Sequence, residues 1–437
     1  MLKNLVGGSP SSERAGKSPR AADRKLRAVV ESLEGRTMMS VAVSGVAHRL
    51  IPIPAEATTV TSSRVTSNLA SPDVASAAVI DLDFPKPLMA EIASLEKAAG
   101  HDAGKVPQGR KAVLLNQALD NYKKVVSTTF ASTMTVYKLT DPGMYAISSK
   151  GPKEPSYFSD TFKNYNTAPV MTTTERYYDY NPKVPAGNKA QFWVDFANEK
   201  LGGGVFGNGF VQEEVMFLET PELANAAAQP ATGRPPLHTR TGNNPYSGPL
   251  EGDPTPLIFV GANRVMDIDQ AILNGTGTQG NEPWETAQFP GTFKSADRAL
   301  PSGPIKPAQI NVLAMAAPDV SKTTSSKAAP DIVKDLFNTF VAGFSLARSD
   351  VHKGETVLIN TGPIGAGAFK NSPVVVNVMQ QLAAKQEDVN LKFWSYKTAD
   401  SDLANNDVTK ILKDFNAGTN KSISNLLVIA EYVMRDI

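Results

Sequence analysis

The chain of 437 residues contains no cysteine and only four histidines. The first absence excludes disulfides, thiolate nucleophiles and zinc–sulfur sites. The second leaves little for a histidine metal centre. His48, His101, His238 and His352 are scattered, and no two stand at a ligand spacing such as HxxxH. No EF-hand loop appears, so neither a metal ion nor another cofactor is expected. Long apolar runs are missing as well. No stretch reaches the roughly 18 uninterrupted apolar residues of a membrane-spanning helix. Nor is there an excess of charge of one sign. The formal net charge is +1, which sets up no global field toward nucleic acid or acidic lipid, and no direct DNA binding is expected.

What is present suffices for a core. Apolar residues make up 41% and charged residues 20%, and the length suits one large domain with extensions, or two domains. The first residues are basic and polar, with Lys3, Arg14, Lys17, Arg20, Arg24, Lys25 and Arg27. That composition predicts disorder, and residues 1–50 lack the apolar core of a standard signal peptide. Within this tail, Leu33-Glu34-Gly35-Arg36, in the stretch Val30 to Ser40, resembles the Leu-Glu-Pro-Arg-type N-terminal motif of exported or surface-associated planctomycete proteins. Gly35 stands where that motif usually has proline. The resemblance implies export or a surface location; otherwise the chain is expected in the cytoplasm.

Four regions are expected: a disordered basic segment at 1–45, a linker at 46–85, a helical accessory region at 86–135 and the main domain at 136–437. The linker is rich in Ala, Ser, Thr, Val and Pro without a sustained period. Leu88, Ile92 and Leu95 have helical spacing, as do Leu114, Leu115, Ala118, Leu119 and Tyr122. Further on, short apolar runs alternate with helical patterns. Strands are expected at 191–196, 257–260, 310–315, 356–359 and 391–394. Helices are expected from Pro330 and over 373–384. The polar segments 224–255 and 270–305 are expected as loops. The order predicts an α/β domain with a largely parallel or mixed sheet.

Two glycine loops carry the chemical signal. The first runs Gly202-Gly203-Gly204-Val205-Phe206-Gly207-Asn208-Gly209-Phe210, directly before Val211-Gln212-Glu213-Glu214. Val211, Val215 and Leu218 have helical spacing, so Gln212, Glu213 and Glu214 occupy a first helical turn, and Pro221 is expected to stop the helix. First-turn N–H groups attract anions and stabilise ionised acids. Adjacent carboxylates repel, and burial favours the neutral form. One carboxyl holding a proton beside an ionised one is the pairing that cleaves a glycosidic bond. Acids in a first turn also serve simply as helix caps. The second loop, Asn360 to Phe369, lies between a strand and a helix, where glycines either cradle phosphate or only turn the chain.

The first loop and its flanks closely resemble the poly(ADP-ribose) glycohydrolase family, which carries a glycine triplet followed at short distance by Gln-Glu-Glu. Val194-Asp195-Phe196-Ala197-Asn198 upstream, and Phe217-Leu218 with Pro221-Glu222-Leu223 downstream, match as well. The second loop is similar to that family's diphosphate-binding loop. It keeps Thr361, Gly362, Gly365, Gly367, Ala368 and Phe369, and departs at Pro363, Ile364, Ala366 and Lys370-Asn371. Lys370 would add a charged contact. The resemblance implies a macrodomain-like α/β fold, a mixed sheet sandwiched between helices, with an N-terminal helical accessory layer. It implies poly(ADP-ribose) or ADP-ribosylated protein as partner. Glu214 and Glu213 would be catalytic. Asn198, Gly202, Gly203, Gly204, Gln212, Gly365, Gly367, Ala368 and Phe369 would bind substrate. Phe393 or Tyr396 would either stack on adenine or fill the core, and Tyr177, Tyr178, Asp179 and Tyr180 would border the pocket or form a surface turn. Activity on a smaller ADP-ribose derivative, a non-catalytic ADP-ribose reader and an exported scaffold stay open, as does the oligomeric state.

Overall fold

The computed structural model describes residues 77–80, 82–102, 107–129, 131–139, 161–165, 167, 170–174, 178–181, 183–207, 211–240, 252–266, 268, 308–321, 329–349, 356–395 and 397–435. All of these belong to the unit Thr61–Ile437. The export-type motif at 30–40 and the expected loop at 270–305 lie outside the described residues.

The described residues form one eight-stranded sheet covered by helices. Its strands are β1 (Ala77–Ile80), β2 (Thr135–Leu139), β3 (Met171–Thr173), β4 (Ala190–Phe196), β5 (Leu257–Arg264), β6 (Ala308–Met315), β7 (Val357–Thr361) and β8 (Asn390–Trp394). The spatial order is β1-β2-β5-β6-β4-β7-β8-β3. From β6 to β3 every neighbour is parallel, with β4 lying between β6 and β7. On the other side β6, β5, β2 and β1 pair antiparallel.

Helices cover both faces, because the central strands are apolar on both. Along β4, Phe192 and Val194 enter one core and Trp193 the other, as a two-residue period requires. The first core is closed by α5 (Pro330–Ser349), α6 (Pro373–Glu387), α7 (Thr398–Ala417) and α8 (Ile423–Met434). The stripe expected on α5 is buried from Ile332 to Phe344. Pro373 occupies the first turn of α6, and its N-cap Ser372 accepts the Val375 N–H. The second core is closed by α1 (Lys86–Ala99), α2 (Pro107–Val125), α3 (Gln212–Glu219) and α4 (Pro221–Ala227).

The expected mixed sheet between helices is therefore what the chain forms, and the helices at 86–125 share a layer with α3 and α4. Three local expectations change. Residues 77–80, within the segment read as linker, form an edge strand of the sheet. Pro221 ends α3 but also opens α4, since proline fits the first turn of a helix. The segment 224–255, expected as loop, starts with the rest of α4 and a 3₁₀ turn at Gln229–Thr232. Short alanine-rich helices of this kind have little periodicity to read.

Candidate active site

Strands β6, β4 and β7 lie side by side and run in the same direction. Their carboxyl ends, Met315, Phe196 and Thr361, open into loops at one edge of the sheet, where open α/β sheets bind ligands. Both glycine loops are there. Gly362 sits so close to the Phe196 ring and the Trp394 carbonyl that an added Cβ would come within 2.9 Å of each. This sets the second loop against the strand that leads into the first.

The first loop is folded onto its own carboxylates. The Glu213 carboxylate accepts the Gly202 N–H at 2.7 Å and the Asn198 N–H at 3.2 Å. A Cβ on Gly203, whose φ is +44°, would lie 2.6 Å from Glu213 Oε2. A Cβ on Gly204 would strike Glu214 Oε1, and one on Gly202 would meet Ala227. The glycine triplet is thus required by close packing within the protein, whatever else approaches it. Gln212 ties the helix to the strand end: its Oε1 accepts the Phe196 N–H at 2.9 Å and its Nε2 donates to the Val194 carbonyl at 3.2 Å. The Asn198 carbonyl accepts the Thr239 hydroxyl at 2.7 Å, while the residue itself is exposed. Asn208, Gly209 and Phe210 lie outside the described residues.

The two glutamates are buried side by side in different surroundings. Glu213 faces Asp195, which strand parity places on the same face as Trp193. Asp195 has no exposed surface, and among the described residues neither of its oxygens accepts a hydrogen bond. Burial pushes its carboxyl well above the usual range. Burial also pushes Glu213 well above that range, with Asp195 and then Glu214 adding repulsion, against the stabilising N–H groups of Gly202 and Asn198. Glu214 instead accepts the N–H of Val211, its own helix's N-cap, at 3.1 Å. Its Oε2 lies 3.7 Å from the Lys111 ammonium. Lys111 comes from α2, is fully buried and donates to the Gly204 carbonyl at 2.7 Å. Burial brings its pKa down to about 8, with Glu214 acting in the opposite sense. Burial and the neighbouring Asp195 therefore favour the protonated form of Glu213.

The second loop is held by Asn371. Its Nδ2 donates to the Pro318 carbonyl at 2.8 Å, and its N–H donates to the Gly365 carbonyl at 3.1 Å. Gly365 has φ +68° and leaves no room for a Cβ beside Ala317. Gly367 and Ala368 are exposed and face open space or solvent, and Phe369 is half-buried. Ile364 points into the core, so one departure from the family pattern is a packing residue.

The aromatic residues sort differently. Phe393 is buried in the sheet, and Tyr396 and Tyr177 lie outside the described residues. Tyr178 donates its hydroxyl to the Val194 carbonyl and packs against Trp193, Trp394 and Phe196. Tyr180 is buried beside it, while Asp179 pairs with Lys392 at 3.7 Å. Two groups at the site were missed by sequence reasoning, Asp195 and Lys111. Strand parity pointed to the first. The second falls on the apolar stripe of α2, at helical spacing from Leu114, Leu115 and Ala118. Among the described residues no group of three or more His, Cys, Asp or Glu side chains could hold a metal ion, and no helix is long and apolar enough to cross a membrane.

Part of this edge is similar to known proteins. Residues 173–227, from β3 through the glycine loop to α4, match the family model described as poly(ADP-ribose) glycohydrolase (PARG), macro domain fold. Over 30 residues the chain is 67% identical to poly(ADP-ribose) glycohydrolase 1 of Caenorhabditis elegans, a match covering 7% of this chain and only 4% of that protein's length. Solved structures that resemble it include the poly(ADP-ribose) glycohydrolase of Thermomonospora curvata, with TM-score 0.39 and 16% identity over 74% of this chain and 98% of that one. The Deinococcus radiodurans enzyme in complex with ADP-ribose gives TM-score 0.35 and 15% identity over 56% and 84%.

Proposed function

We propose that this chain is a glycosidase that hydrolyses the ribose–ribose O-glycosidic bonds of poly(ADP-ribose) and releases ADP-ribose. The observation that carries the proposal is the seating of the Glu213 and Glu214 carboxyls directly on Gly203 and Gly204, at the carboxyl end of β4. The high identity of the matched 30 residues supports the same reading.

The roles follow from the geometry. Gly202 to Gly204 let the scissile ribose approach two carboxyls at once, and exposed Asn198 orients the terminal ribose. Glu213, anchored by two backbone N–H groups, holds the ribose hydroxyls. Glu214 donates a proton to the leaving ribose oxygen as the glycosidic bond breaks, then accepts one from the water that attacks the anomeric carbon. Gln212 braces the helix, and Gly365, Gly367, Ala368 and Phe369 hold the diphosphate at the start of α6. On this reading residues 136–437 form the catalytic domain with the strand at 77–80 added to its sheet, 86–135 its accessory helical layer, the rest of 46–85 a linker and 1–45 a tail whose motif directs export.

Purified protein incubated with radiolabelled poly(ADP-ribose) is expected to release free ADP-ribose, and Glu214→Gln to lower the rate by about 10²–10⁴, the usual contribution of a positioned general acid. Polymer retained without release would leave an ADP-ribose reader, and release only from mono-ADP-ribosylated protein would move the substrate to the smaller derivative. Wild-type rates in Glu214→Gln would remove Glu214 from the mechanism.

A further inference from the structure

Lys111 is the feature of the site that neither the glycine loop nor the Gln-Glu-Glu motif contains. It sits on α2, 93 residues before the loop whose carbonyl it contacts. Its side chain has no exposed surface, and the side chain of Glu214 is 7% exposed. A buried ammonium is costly unless paired and hydrogen-bonded. Here one interaction goes to the Gly204 carbonyl at 2.7 Å and another to Glu214 Oε2 at 3.7 Å. The same Glu214 oxygen accepts the Val211 N–H, and the other lies against Gly204. One cation therefore fixes both the third glycine and the carboxyl that packs on it. The lysine stem fills the apolar stripe of α2 and the head emerges beneath the loop, which gives the accessory helices a reason to be joined to the site.

Resting on the hydrolase reading, we propose that Lys111 is a positioning residue for Glu214: its ammonium, fixed by the Gly204 carbonyl, holds the carboxyl in register with the glycine loop for proton transfer. Lys111 is fully buried beneath the loop, so its loss is expected to act on turnover and to leave ligand binding in place. Arginine at the same position keeps the charge and a donor to Gly204. Methionine keeps the volume of the stem and removes both.

Two measurements on the full chain test this, one of them independent of activity. In thermal melting, Lys111→Met is expected to lower the transition temperature, because it removes the ammonium that faces the buried Glu214 carboxyl. The same substitution made in Glu214→Gln is expected to lower it much less, since a neutral amide needs no cation. Equal losses in the two backgrounds would show that Lys111 and Glu214 are not coupled and would overturn the proposal, whether or not the chain is a hydrolase. In polymer hydrolysis, Lys111→Met is expected to lower kcat by about tenfold to a hundredfold with KM within about threefold, part of the contribution of a general acid. Lys111→Arg is expected to restore most of kcat. A raised KM at unchanged kcat, or Lys111→Arg as slow as Lys111→Met with an intact melting transition, would also overturn it. If the wild type releases no ADP-ribose, the hydrolase reading fails, and the melting cycle alone decides the contact.

Discussion

At the scale of single residues, the site is built by contacts between carboxyls and backbone. Gly203 and Gly204 are glycines because Glu213 and Glu214 occupy the space where side chains would be. Gly203→Ala therefore meets two penalties. It places a Cβ residue at φ +44°, and it pushes Glu213 off the N–H groups of Gly202 and Asn198. Strain of this kind costs about 1–3 kcal/mol. The expected outcome is a folded protein with a lowered melting temperature and at least about a tenfold loss of polymer hydrolysis, since misplacing an essential group by an ångström is that damaging. A variant with wild-type rates would show that the triplet does not set the position of Glu213. Asp195 belongs to the same scale. Its proximity is what drives Glu213 further toward the neutral form, beyond burial alone.

At the scale of elements, helix ends hold the loops, and one of them is a source of pH dependence. Glu387 closes α6, its backbone carbonyl accepting Arg348 at 2.8 Å. Burial raises its pKa to about 7, against the attraction of Lys163 and Arg348 and a hydrogen bond from Ser345. A carboxyl at a helix C-terminus also meets the negative end of the dipole. With the folded pKa above the unfolded value of 4.5, the folded state binds the extra proton. Its contribution to stability is full below pH 4.5 and is lost as the pH rises through 7. Denaturant titrations of wild type and Glu387→Gln at several pH values are expected to diverge over that window. The wild type should lose about 3 kcal/mol relative to the variant by neutral pH, and both should run parallel above it. Parallel curves throughout would mean that Glu387 is solvated.

At the scale of the whole molecule, the accessory helices and the strands that carry the candidate site share one core. Leu88, Ile92, Leu114, Leu115, Leu119 and Tyr122 pack with Trp193, Val215 and Phe217. Each such side chain contributes roughly 2 kcal/mol on burial. Six of them together approach the 5–15 kcal/mol, or about that, by which a folded domain is stable. A chain beginning at residue 136 is therefore expected to lack a cooperative thermal transition and to bind the dye ANS. A sharp transition in that truncated chain would make the helices a separable layer. The same shared core explains how a lysine on α2 reaches a loop after β4.

Much of this was legible along the chain. Alternation in β4, the apolar stripe of α5 and the proline and serine that open α6 are local signals, because period and capping depend on neighbours in sequence. The Gly202 to Glu214 stretch is local too, so its glycines and acids could be recognised as one loop and one helical turn. Other features needed the tertiary structure. The edge strand at 77–80 carries too few residues to show a period and is defined by its pairing with β2. Asp195 becomes a fully buried carboxyl only because helices cover both faces of the sheet. Lys111 becomes part of the site only because α2 packs on α3. Sequence order by itself determined which residues turn the loop and which acids follow it. Which neighbours surround each acid was decided by long-range packing, because burial and charge act through space.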